Sequence, residues 1–173
     1  MQEADLALLA GWLSRRHVQD WWRDPADLGS VREKYGPCID RTDPTEVFIV
    51  EVDGEPVGMI QRYLFDDEPD WRVSLAPSGP HDAAAGIDYL LGEESVTGHG
   101  VGPAMISAFA AATWSECPRV SKMVVAVSQG NRRSWRALEK AGFERVWAGQ
   151  IDSDDPSDEG PSFVYTARRP GAS

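Results

Sequence analysis

Apolar positions recur at helical spacing at the start of the chain. Leu6, Leu9 and Leu13 fall on one face of a helix over 4–16, with Trp12 beside them. The stretch from His17 ends that pattern at Pro25, and residues 28–35 can form a second short helix before Gly36-Pro37. After the turn Thr42-Asp43-Pro44 the period shortens to two. Residues 47–52 predict a strand, Asp53-Gly54 a two-residue hairpin, and residues 57–65 the returning strand. Acid, proline and glycine crowd 66–82, which is expected to be a long loop. A strand over 86–91 follows, then Gly98-His99-Gly100-Val101-Gly102 and an apolar helix over 103–114. A buried-type strand at 123–127, a helix at 131–140 stopped by Gly142, and a strand at 143–148 come next. A second acidic loop leads to a last strand at 162–167. This alternation points to an α/β or α+β class with a mixed sheet, and without repeats the chain is expected to be one domain over 1–173.

Composition narrows the reading. With 173 residues, 42% hydrophobic and 26% charged, the chain has the composition of a soluble globular protein and is not disordered as a whole. No apolar run reaches the ~18 residues of a membrane span, and the acidic start is not a signal peptide. Cys38 and Cys117 make neither a disulfide framework nor a metal cluster. These features together predict a cytosolic protein without a bound metal. Twenty-eight Asp and Glu against seventeen Lys and Arg give a net charge of −11. Such a surface repels nucleic acid and anionic lipid, and attracts cations.

The glycines at 98, 100 and 102 stand between a strand and a helix with proline near its first turn. Glycine lets the backbone come close to a ligand, and a helix N-terminus adds unsatisfied donors and partial positive charge. A pyrophosphate suits that arrangement, even in an acidic protein, because backbone dipoles meet the charge locally. A dinucleotide fingerprint is not matched, and the lysine of a P-loop is absent.

The loop Thr97–Gly102 resembles the acetyl-CoA loop of the GNAT acetyltransferases. Asn131-Arg132-Arg133-Ser134 through Glu139-Lys140-Ala141-Gly142-Phe143 is similar to that family's second cofactor motif. The resemblance implies a mixed sheet splayed open at its centre, between the strands at 87–91 and 123–127. It also implies acetyl-CoA as co-substrate, held by Leu90, Leu91, Gly98, His99, Gly100, Val101, Gly102, Pro103 and Asn131. His17-Val18 with Trp21-Trp22, Glu33–Pro37, Asp53–Gly58 and Gly86–Leu91 extend the likeness to the aminoglycoside 6′-N-acetyltransferases. That likeness implies a small polycationic amino sugar as acceptor and Asp88 as the group that takes the proton from the reacting amine. Trp22, Tyr35, Asp43 and Gln61 would line the acceptor cleft, together with Tyr63, Asp70 and Glu159. The protein would work as a monomer or homodimer. A related enzyme acylating another small amine, such as a siderophore-precursor lysine, is the alternative, though such enzymes generally carry histidine where Asp88 stands. A non-catalytic ligand-binding module is a third reading, which the intact cofactor motifs oppose.

The residues support this independently. An acid inside an otherwise apolar strand is costly without a purpose, which singles out Asp88. Each charge-assisted hydrogen bond to an ammonium contributes ~1.5–3 kcal/mol, so three or four reach micromolar binding after association costs. The chain departs from the family at Leu138, where a tyrosine often protonates the leaving thiolate, so solvent, Ser134 or Tyr89 would serve. Thr97 replaces the Arg or Gln that often opens the loop, and Ala126 replaces an acid of some relatives. The family usually opens with a strand, yet Met1 leads almost directly into helix: either the sheet lacks that strand or the strand lies upstream of Met1.

Overall fold

The leucine spacing at the start does build a helix, and local hydrogen bonds decide where it stops. The structure is a computed structural model describing residues 1–171. Helix α1 (Leu6–Leu13) buries Leu6, Leu9, Trp12 and Leu13. It ends sooner than the apolar pattern suggests, and a short helix α2 (Arg16–Gln19) follows an extended Arg15. The break is held by Gln19, whose side-chain amide donates to the Leu13 carbonyl at 2.6 Å and to the Asp24 carbonyl at 2.8 Å.

Helix α3 (Leu28–Ile39) starts at an Asp27 cap that accepts from the Ser30 amide at 3.0 Å and runs on through Gly36-Pro37. Pro37 has no N–H to give the Glu33 carbonyl, but Glu33 is exposed, so water can take that acceptor and the helix continues.

Strands β1 (Glu46–Val52) and β2 (Glu55–Leu64) pair antiparallel, with a bulge at Val50/Glu51. Asp53 and Gly54 at φ 53° and 83° form the mirror-image turn that matches strand twist. The expected loop over 66–82 instead contains α4 (Pro69–Ser74), with Pro69 opening its first turn where a missing N–H costs nothing. Strand β3 covers Ala84–Leu91, and α5 covers Val101–Glu116. Helix α5 starts before Pro103, so Val101 and Gly102 belong to its first turn rather than to the loop. Strand β4 (Lys122–Ser128), α6 (Arg132–Lys140), β5 (Glu144–Gln150) and β6 (Pro161–Arg168) complete the chain order.

The six strands lie in the order β1-β2-β3-β4-β6-β5. Amides of Phe65 and Gly92 bond the carbonyls of Ala84 and Val57, which sets β2 and β3 antiparallel. Strands β3 and β4 run parallel and pair only at Ala84/Lys122, Ala85/Met123 and Gly86/Val124. The β3–β4 ladder extends over these three pairs. The mixed α/β class expected from sequence is the class observed.

Two units are distinguished by their internal packing. The first comprises Met1–Arg62 with Asp88–Thr97, and the second comprises Tyr63–Ile87 with the chain from Gly98 onward. In the first, Leu9, Trp12, Leu13, Val31, Tyr35 and Met59 form the core. In the second, Phe65, Leu75, Ala84, Val124, Ile151 and Val164 pack together.

Candidate active site

Asp88 is the one acid in a strand whose first four residues are buried. It is half-buried itself, and Gln61 on β2 donates to its Oδ2 at 3.0 Å. A carboxylate fixed by an amide on one oxygen has a set orientation, which is what a proton acceptor needs.

Two aromatic residues of the first unit, Trp22 and Tyr35, meet at Asp24, which sequence reasoning did not single out. Trp22 Nε1 and the Tyr35 hydroxyl donate to its Oδ2 at 2.9 and 3.0 Å, and Lys34 Nζ donates to its Oδ1 at 2.7 Å. Tyr35 is 2% exposed, so its ring belongs to the core and only its hydroxyl works in this group. Burial, and then the charge of Asp24, push the Tyr35 phenol well above its ordinary range, with Asp88 adding to the effect. It therefore stays a donor at any working pH. Trp22 is half-buried, while its neighbour Trp21 is exposed. Asp43 closes its own turn by accepting from the Thr45 amide at 2.8 Å. Asp24 was hard to find because it lies in irregular chain, where an Asp-Pro step reads only as a helix break.

The end of β3 is held from α1 and α2. Leu90 packs into the core, and the Leu91 carbonyl accepts from His17 Nε2 at 3.1 Å. Arg15 donates to the Gly92 carbonyl at 2.8 Å and pairs with Glu93 at 2.6 Å, while Trp12 Nε1 donates to Glu93 at 3.0 Å. These bonds, from Arg15 first and Trp12 second, hold the Glu93 carboxyl below its usual range.

In the second unit Tyr63 lies flat against Gly86: a Cβ there would stand 2.5 Å from the Tyr63 oxygen and closer still to the ring. Trp71 Nε1 donates to the Tyr63 oxygen at 2.9 Å. Asp70 precedes it, exposed in the first turn of α4, and Glu159 is exposed in the second acidic loop.

The glycine loop has the backbone the sequence argument required. Gly98 and Gly100 have φ of 80° and 85°, and a Cβ on either would meet nothing within 4 Å. With His99 they are exposed, while Val101, Gly102 and Pro103 are half-buried where α5 begins. No side chain caps that helix, so its first turn offers backbone donors to an anion. An open left-handed loop on a sixteen-residue helix fits a pyrophosphate. Asn131 caps α6, accepting from the Ser134 amide at 3.2 Å, and Leu138 is fully buried in that helix. Thr97 Oγ1 donates to the Glu94 carbonyl at 2.8 Å, and Ala126 packs against the second core. Among the described residues no three His, Cys, Asp or Glu side chains are grouped to hold a metal ion. No helix there is long and apolar enough to cross a membrane.

Comparison with known proteins accounts for this set of features. A family model described as an acetyltransferase (GNAT) domain matches residues 1–151. The aminoglycoside N(6′)-acetyltransferase type 1 of Klebsiella pneumoniae is 34% identical over 174 residues, covering 98% of this chain and 81% of that protein. The structure of the aminoglycoside acetyltransferase AAC(6′)-Ib with coenzyme A and kanamycin is 32% identical, with a TM-score of 0.82 over 98% of this chain and 92% of that one. The same enzyme with paromomycin and acetyl-CoA gives 31% identity and a TM-score of 0.83, over 98% and 90%. With its glycine loop, its six-stranded mixed sheet and a family match over most of its length, the chain belongs to the GNAT acetyltransferase family.

Proposed function

We propose that the protein transfers an acetyl group from acetyl-CoA to the 6′-amine of aminoglycosides. One observation carries the reading to this chain's own chemistry: a half-buried carboxylate, Asp88, oriented by Gln61 within an apolar strand. The likeness to N(6′)-acetyltransferases over 98% of the chain supports the substrate class. The acidic surface suits a polycation.

Acetyl-CoA supplies an activated acyl thioester. Gly98, Gly100 and the first turn of α5 would hold its pyrophosphate through backbone N–H groups. Asp88 holds the acceptor's ammonium, takes one proton from it and leaves the neutral amine directed at the carbonyl carbon. As the N–C bond forms, the C–S bond breaks, and the nitrogen gives up its second proton to solvent to leave a neutral amide. Leu138 has no hydroxyl and is buried, so the departing thiolate takes its proton from another source: solvent, which a thiol of pKa ~8.5 allows, or the hydroxyl of Ser134 or Tyr89. Asp70 and Glu159, both exposed acids, are suited to the remaining ammonium groups.

The test is thiol release from acetyl-CoA with kanamycin or tobramycin, against an analogue lacking the 6′-amine. Release that disappears with the analogue is expected. Asp88→Asn should keep acetyl-CoA binding and lose about 100-fold or more in kcat, the contribution of a positioned base. No release from any aminoglycoside would overturn the substrate assignment, and near-normal turnover by Asp88→Asn would remove that residue from the chemistry.

A further inference from the structure

A carboxylate is costly to bury unless donors surround it. Asp24 is 8% exposed among the core side chains of the first unit, between α2 and α3. Lys34, Trp22 and Tyr35 supply its donors at 2.7, 2.9 and 3.0 Å. Packing alone does not require a charge at this place, because a buried ionic group can often be replaced by an apolar one of similar volume without loss. The charge does something an apolar side chain cannot. Indole has one polar atom and phenol one, and both are given to the same oxygen, so the two ring orientations are fixed together. Lys34, on the other oxygen, is half-exposed and balances the charge. Trp22 is left half-buried, with its nitrogen tied inward.

We propose that Asp24 is a positioning residue for the acceptor: it locks the Trp22 indole, so that an amino-sugar ring meets a rigid aromatic face. The inference rests on the acetylation reading, since it takes the exposed part of Trp22 as acceptor surface. A face locked before binding lowers the ordering cost of association. Its loss should therefore appear in acceptor affinity and leave the chemical step alone.

Asp24→Asn keeps the volume but offers one carbonyl oxygen and turns an NH2 toward a cation. In this variant the KM for kanamycin is expected to rise at least tenfold, with kcat within threefold and the KM for acetyl-CoA unchanged. The Trp22 indole N–H, assigned by its loss in Trp22→Phe, should exchange with solvent at least tenfold faster. In the Trp22→Phe background, Asp24→Asn should raise the KM no more than a further twofold, because the effect runs through the indole. Asp24→Glu, which keeps the charge on a longer arm, is the second variant should Asp24→Asn not fold, with the same split of KM from kcat expected. An unchanged kanamycin KM in a folded variant whose indole exchanges fast would overturn the proposal. So would KM and kcat failing together. Wild-type protein that turns over no aminoglycoside would instead sink the acetylation reading, which keeps the two failures apart.

Discussion

Gly86→Ala adds a single methyl group to β3 and should be felt well beyond that strand. The new Cβ would stand 2.5 Å from the Tyr63 oxygen, with two ring carbons nearer still, all inside van der Waals contact. Tyr63 cannot give way cheaply, because Trp71 Nε1 holds its oxygen at 2.9 Å and Phe65 lies with its ring centroid 6.0 Å away. Overpacking of this kind costs about 1–3 kcal/mol. If the ring swings out, the hydrogen bond goes with it, for about 0.5–1.5 kcal/mol more. The sum, about 1.5–4.5 kcal/mol, lowers Tm by about 3–18 °C in a protein of this size. Thermal unfolding followed by circular dichroism reads the loss, and Tyr63→Phe alone should show only the hydrogen-bond share. The decisive comparison is Gly86→Ala in a Tyr63→Ala background, where the methyl should cost less than 1 kcal/mol because its obstacle has gone. A Gly86→Ala protein melting within 1 °C of the wild type would refute the argument, since the backbone would then have absorbed the methyl.

Two further outcomes test the local physics. Asn131→Ala removes the cap of α6 and should cost about 1 kcal/mol in urea unfolding, whereas Asn131→Asp should retain the stability. His81 is 2% exposed, gives Nε2 to the Leu75 carbonyl at 3.0 Å, and leaves Nδ1 buried without a partner. Burial first, and then the nearby Lys122 and Arg72, keep its ring neutral by lowering its affinity for a proton. The unfolded chain binds that proton near the ordinary histidine value of ~6.5, so stability should fall as pH drops through that range. Urea midpoints at pH 7.5 and 5.5 should therefore differ more in the wild type than in His81→Gln.

Asp88 and the glycine loop stand out in the sequence because each departs from its local pattern, whereas Gln61 enters only through the family resemblance. An acid interrupts apolar residues in the strand at 84–91, and glycines stand where a helix is about to start. Strand positions were legible from alternation, with ends off by one or two residues. Proline misled in two places. Pattern alone makes Pro37 a stop and Pro69 a loop marker, yet one lies near the end of a helix and the other at the start of one. The difference depends on whether the affected carbonyl or amide can reach water, which one-dimensional pattern does not encode. Tyr35 was read as cleft-facing, but its ring packs with Leu9 and Val31 in the core. Asp24 carried no periodic signal because its partners at 22, 34 and 35 converge only after α3 has folded.

The short ladder between β3 and β4 also bears on how long the protein survives. From Val125 to Ser128, β4 has β6 as its only ladder partner, so a row of peptide groups lies outside the sheet's own bonding. Exposed strand edges invite foreign strands, and an extended chain with amide groups can satisfy them by adding to the edge. Pantetheine is such a chain. Under the proposed activity the co-substrate is then also a splint: at about 100 times its Kd it adds about 2.7 kcal/mol to the folded state. Enzyme stripped of acetyl-CoA would then unfold more readily than enzyme saturated with it.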